Sequence, residues 1–193
     1  MRTSLIFAAF TGLILSACSS GQSLFQSLDS RKNAGPCPTA GALYEASRIV
    51  KFDDEVASNV IGYSDITYTA EITGARLFCR YVDDDPLLAE IEIDFAFGQG
   101  PAAQSRTHQY EYFVAVMRRN SRILAKEYFT VDADFRNGRI DATTELVNRI
   151  YIPRVDDTIS GANFEILVGF VLTEDQEEFN KQGQRFRLDA GNE

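Results

Sequence analysis

Apolar and polar side chains alternate most regularly between Leu87 and Phe97. Leu87, Ala89, Ile91, Ile93, Phe95 and Phe97 fall on one face, and Glu90, Glu92 and Asp94 on the other. That period of two is the mark of a half-buried β-strand. Ile66, Tyr68, Ala70 and Ile72 alternate with Thr67, Thr69, Glu71 and Thr73 in the same way. Gly74 predicts a bend before a further stretch, Leu77, Cys79 and Tyr81. From Ile123 to Phe135 one face holds Ile123, Ala125, Phe129, Val131, Ala133 and Phe135, with Glu127 as its one charge. A charge there suits a strand at a sheet edge. Apolar runs at Phe113–Met117, Leu146–Ile152 and Phe164–Leu172 read as more strands, the last as a central one buried on both faces. With Ala42–Phe52 this makes about eight strands, the number of a two-sheet sandwich.

Turn and cap signals divide these runs. Arg118-Arg119-Asn120-Ser121 predicts a turn, and Asn137-Gly138 carries a hairpin signal. Thr173-Glu174-Asp175-Gln176 matches a capping box and predicts a short helix to about Lys181. The expected fold is mainly β: a two-sheet antiparallel sandwich over residues 37–182, immunoglobulin-like or related, with a short C-terminal helix. Residues 183–193 are expected to fray. The chain has no Trp, so the Cys…Trp…Cys core of antibody domains is excluded.

The N-terminus follows another pattern. Met1-Arg2 leads into an apolar run, Ser4–Leu15, then Ser16-Ala17-Cys18. The run is too short for the roughly 20 residues that span a bilayer, and residues 1–17 read as a signal peptide. Leu15-Ser16-Ala17-Cys18 resembles the bacterial lipobox at all four positions. The resemblance implies that Cys18 is acylated and becomes the first residue of the mature chain. Acyl chains anchor stably once two or more are present. Ser19 stands where Gram-negative lipoproteins retained at the inner membrane carry Asp, which implies transfer to the outer membrane, facing the periplasm. Residues 18–36 are rich in Ser, Gly and polar side chains and read as a flexible tether reaching on the order of 24 Å.

The chain has three Cys, so Cys37 and Cys79 remain once Cys18 is lipidated. In an oxidising compartment the pair is expected to form a disulfide that staples the end of the tether to the domain. Nineteen basic residues against 28 acidic ones, net −9, argue against a nucleic-acid partner, which needs a basic face.

The strings Pro36-Cys37-Pro38, Leu77-Phe78-Cys79-Arg80-Tyr81, Tyr112–Val116, Ile123–Glu127 and Leu167–Thr173 resemble a family of small alphaproteobacterial envelope lipoproteins. The likeness implies a lipobox, a tether, paired cysteines and a β domain, and no particular enzymatic activity.

Residues suited to catalysis are few. His108 is the only imidazole and stands in the polar stretch Gln104–His108, where it reads as an exposed loop residue. Gly98-Gln99-Gly100-Pro101-Ala102-Ala103 has phosphate-loop spacing, but Pro101 and the polar residues after it predict no helix to bind an anion. It reads as a turn. The acidic groups Asp53-Asp54-Glu55, Asp83-Asp84-Asp85, Asp132/Asp134 and Asp156-Asp157 read as solvated turns; calcium-loop frames starting at Asp132 and Asp134 both fail, and no metal or cofactor is expected. The expected function is that of a non-enzymatic, membrane-anchored envelope lipoprotein acting as a protein-interaction or assembly module. The alternative is a ligand-binding sandwich for a glycan, a lipid or calcium.

Overall fold

The period-two segments form two four-stranded sheets packed face to face. The computed structural model describes residues 35–53, 62–81, 86–119, 121–154 and 159–183. Within them the strands are β1 (Thr39–Ala42), β2 (Arg48–Phe52), β3 (Ile66–Arg80), β4 (Leu87–Gln99), β5 (Thr107–Arg118), β6 (Ile123–Asp134), β7 (Ile140–Ile152) and β8 (Phe164–Phe170), followed by helix α1 (Glu174–Lys181). One sheet has the order β1-β8-β5-β6 and the other β2-β3-β4-β7. The protein is a β-sandwich, and because β1 and β2 lie in different sheets, its order is not that of the immunoglobulin domain.

The alternation places the core. Leu87, Ala89, Ile91, Ile93, Phe95 and Phe97 of β4 are each 2% exposed or less. Opposite them lie Tyr110, Tyr112, Val114 and Val116 of β5 and Phe164, Ile166, Val168 and Phe170 of β8. Phe rings fill the space between the sheets in place of a Trp. Phe97 stacks on Tyr110 at 5.0 Å, and Phe95 meets Tyr112 at 5.0 Å and Phe170 at 5.7 Å. Such pairs add to the stabilisation from burying ring area.

Several expectations need correction. Ala42–Phe52 is not one strand: a single 3-10 turn, Tyr44–Ala46, separates β1 from β2 and carries the chain between the sheets. The bend at Gly74 does not end a strand, because β3 absorbs it as a register shift between Ile72 and Gly74. The sandwich is also not wholly antiparallel. β1 pairs with β8 in parallel, from Thr39↔Glu165 to Ala42↔Val168, since no hairpin joins these two strands to dictate an antiparallel pairing. Asn137-Gly138 makes a turn but not a hairpin, because β6 and β7 belong to different sheets. The primed hairpin turn needs positive φ, and the only glycine with positive φ among the described residues is Gly183. β8 is covered on its second face only near its end, where the Phe113 ring and Ala46 close over Gly169.

Helix α1 forms as its capping box predicts. Thr173 Oγ1 accepts from the Gln176 N–H at 3.3 Å, and Gln176 Oε1 accepts from the Thr173 N–H at 3.0 Å. Asn180 Nδ2 then donates to the carbonyls of Glu45 and Arg48 at 2.8 and 2.9 Å, and Phe179 meets Phe52 edge-on at 5.6 Å. Those contacts hold the helix against the β1–β2 connection.

Candidate functional site

Cys37 and Cys79 are joined in a disulfide, their Cα atoms 5.8 Å apart. Cys79 lies on the core-facing side of β3 with Leu77 and Tyr81, half-buried. Tyr81, which the sequence marked only as a core-facing position, fastens the same point a second time. Its hydroxyl donates to the Pro36 carbonyl at 2.8 Å and accepts from the Gly161 N–H at 2.7 Å. The Arg154 guanidinium lies 5.0 Å from the ring centre. Gly161 has no room for a side chain, as a Cβ would stand 2.7 Å from both Pro36 O and Tyr81 Oη. Residues 1–17, expected to be a signal peptide, the expected lipid-attachment residue Cys18, and the expected tether as far as Ala34 lie outside the described residues. So do Asp54, Glu55, Asp83–Asp85, Asp156, Asp157 and the tail from 184.

His108 is not an exposed loop residue. β5 begins at Thr107, and His108 points to the core side, where its ring stacks on Tyr68 at 4.2 Å and meets Tyr110 edge-on at 4.7 Å. Ser105 gives it no hydroxyl: Ser105 Oγ accepts from the Thr107 N–H at 3.2 Å, and the Ser105 carbonyl accepts from Tyr68 Oη at 2.9 Å. Burial first, and then the charge of Lys51, hold the imidazole pKa below its ordinary value of 6.5. A group with depressed pKa takes up its proton more readily when unfolded, so its stabilising share is lost as pH falls below 6.5. The gap in melting temperature between wild type and His108→Phe should therefore be constant above about pH 7.5 and change in favour of the variant below about pH 6.5. Parallel pH–melting curves would refute this.

The acidic positions within the described residues are used locally. Asp134 forms an ion pair with Arg136 and accepts from its N–H at 3.0 Å, and that side-chain bond holds the carboxyl at about 2. The Asp141 carboxylate accepts from the Asp134 N–H at 2.8 Å. On the outer face of the second sheet Asp94 meets Arg76 and accepts from Thr144 Oγ1 at 2.8 Å. Among the described residues no cluster of His, Cys, Asp or Glu is placed to hold a metal ion.

The feature that sequence reading did not find lies along the open side of the sandwich. β6 ends one sheet and β7 the other. The two strands meet at the Asp134–Asp141 contact, and further along a cleft of about 590 Å³ separates Tyr128, Phe129 and Thr130 from Glu145, Leu146 and Val147. Its floor is Tyr112, whose phenol is pushed up to about 12, first by burial and then by the charge of Glu145. Tyr128 and Leu146 are 57% and 51% exposed. Glu127, the charge on an apolar face, was the one signal of this edge in the sequence. Its partner edge β7 had none, because its first half, Ile140–Glu145, mixes polar and apolar residues without a clear run. No family model matches the chain, and no curated protein or solved structure matches it significantly.

Proposed function

We propose that this chain is a lipid-anchored protein of the bacterial envelope whose sandwich docks another protein. The observation that carries the docking half is the pair of long edge strands, β6 and β7, flanking a cleft with exposed Tyr128 and Leu146. Exposed apolar groups beside free strand edges are a liability unless a partner covers them. The lipobox Leu15–Cys18 supports the anchor, and Ser19 supports the outer membrane as its destination. The Cys37–Cys79 bridge suits an oxidising compartment. The fastening at Cys37 and Tyr81 gives the tether a fixed point of attachment to the domain.

A photo-reactive residue at position 146, introduced in cells, tests both halves. The wild-type chain should give a discrete crosslinked adduct in the outer-membrane fraction. In a Cys18→Ala background the protein should leave that fraction and the adduct should fall sharply. An anchor-free variant still in the outer membrane would refute the anchor, and no adduct from position 146 would refute the docking site.

A further inference from the structure

We infer that the β6–β7 cleft receives an extended, basic segment of the partner protein, added as a strand on the free edge of β6. This inference rests on the docking reading above and names the chemistry of the partner. Backbone direction along β6 identifies the edge. The Phe135 N–H points back toward β5, donating to the Arg106 carbonyl at 2.7 Å, while the Asp134 N–H points away and donates to Asp141. Successive backbone groups in a strand alternate in direction. Lys126, Tyr128, Thr130 and Asp132 therefore present their N–H and C=O groups outward, where no strand among the described residues pairs with them. The β6 register against β5 runs without a shift from Ala125 to Asp134. β7 is the poorer template. Asn148 and Arg149 together face Glu90, and Arg149 sits at φ 62°, a bulge that distorts this edge beside the cleft.

Charge selects the segment. Glu111 and Glu145 line the cleft, and no described lining residue is Lys or Arg. Glu127 adds a third carboxylate on the core-facing side of the same edge. An added strand would set one row of side chains toward Phe129 and Glu145 and the other toward Tyr128 and Glu111. Lys or Arg alternating with apolar residues matches both rows through the carboxylates, since the Tyr128 ring already has Lys126 Nζ 5.1 Å from its centre. Strand addition takes its affinity from main-chain bonds and its selectivity from such side chains.

The probe is a synthetic peptide about as long as β6, alternating Val and Arg, with a Val–Glu peptide as control. With the full-length protein in mild detergent, the Val–Arg peptide should slow amide exchange at Tyr128 and Thr130 and leave β7 amides unchanged. The Val–Glu peptide should not. Glu145→Gln should weaken binding by roughly three- to ten-fold. Thr130→Pro removes only an outward N–H, so it should block binding while the melting temperature stays close to wild type. Equal protection by both peptides, protection along β7 instead, or unchanged binding by a folded Thr130→Pro variant would overturn the inference. So would slow exchange at Tyr128 and Thr130 without peptide that vanishes on dilution, which would mean a second copy of the chain occupies the edge. A crosslinked partner at position 146 without peptide protection of β6 would refute strand addition and leave docking standing, whereas no adduct at position 146 would remove both.

Discussion

Gly100→Ala should be among the most damaging single substitutions in this protein, lowering stability by about 3–5 kcal/mol in urea or thermal unfolding. A Cβ at Gly100 would stand 2.0 Å from the Ile66 carbonyl oxygen and 2.5 Å from its carbon. Those are backbone atoms, and no rotamer change can relieve the overlap. The start of β3 would have to move away from the end of β4. That movement would stretch the bond from the Gly100 N–H to the Thr67 carbonyl at 2.7 Å and from the Ala102 N–H to the Ile66 carbonyl at 3.0 Å. Each such bond is worth roughly 1 kcal/mol, and more when a buried partner is left unsatisfied. Gly138→Ala is the control, since a Cβ there meets nothing within 4 Å. It should change stability by less than about 0.5 kcal/mol. Equal effects of the two substitutions would refute the close-approach account.

Gly100 also shows why part of the molecule was legible in sequence and part was not. Its string, Gly98–Ala103, has the spacing of a phosphate loop, yet the glycine is needed by a carbonyl more than thirty residues earlier in the chain. Short-range patterns translated well. The alternation of β4, the capping box of α1 and the turn at Arg118–Ser121, closed by the Ser121 N–H to the Arg118 carbonyl at 3.0 Å, depend on neighbours a few residues away. Where pairing partners are distant, the reading failed. About eight strands were expected and eight are present among the described residues, but only because splitting Ala42–Phe52 offsets merging the two halves of β3. His108 read as a loop residue because its neighbours are polar, and only Tyr68, from another strand, explains its burial. The cleft was the least legible feature. It exists because β6 and β7 end different sheets, and local periodicity carries no information about which strand ends a sheet.

The Cys37–Cys79 bridge carries the second large effect. It closes a loop with a sequence separation of 42, for which chain entropy alone gives about 4 kcal/mol. Cys37→Ser/Cys79→Ser should therefore lose about 2–5 kcal/mol, the usual range for a native bridge in a small domain. Replacing both cysteines avoids leaving a lone reactive thiol. Tyr81 makes the outcome more informative. Without the bridge, its bonds to Pro36 and Gly161 become the remaining fastening of the N-terminal segment to β3 among the contacts described at this point. Tyr81→Phe, which removes those bonds and keeps the ring, should then cost more in the bridge-free protein than in the bridged one. With the bridge intact, Pro36 is held beside β3 by its covalent neighbour, and water can replace part of what the hydroxyl gave. A dithiol reductant should lower the melting temperature of the wild type toward that of the double variant and leave the double variant unchanged. If the reduced and oxidised wild type melt together, the bridge contributes nothing to stability. If Tyr81→Phe costs the same in both backgrounds, bridge and hydroxyl act independently, and the fastening is two separate contacts rather than one coupled unit.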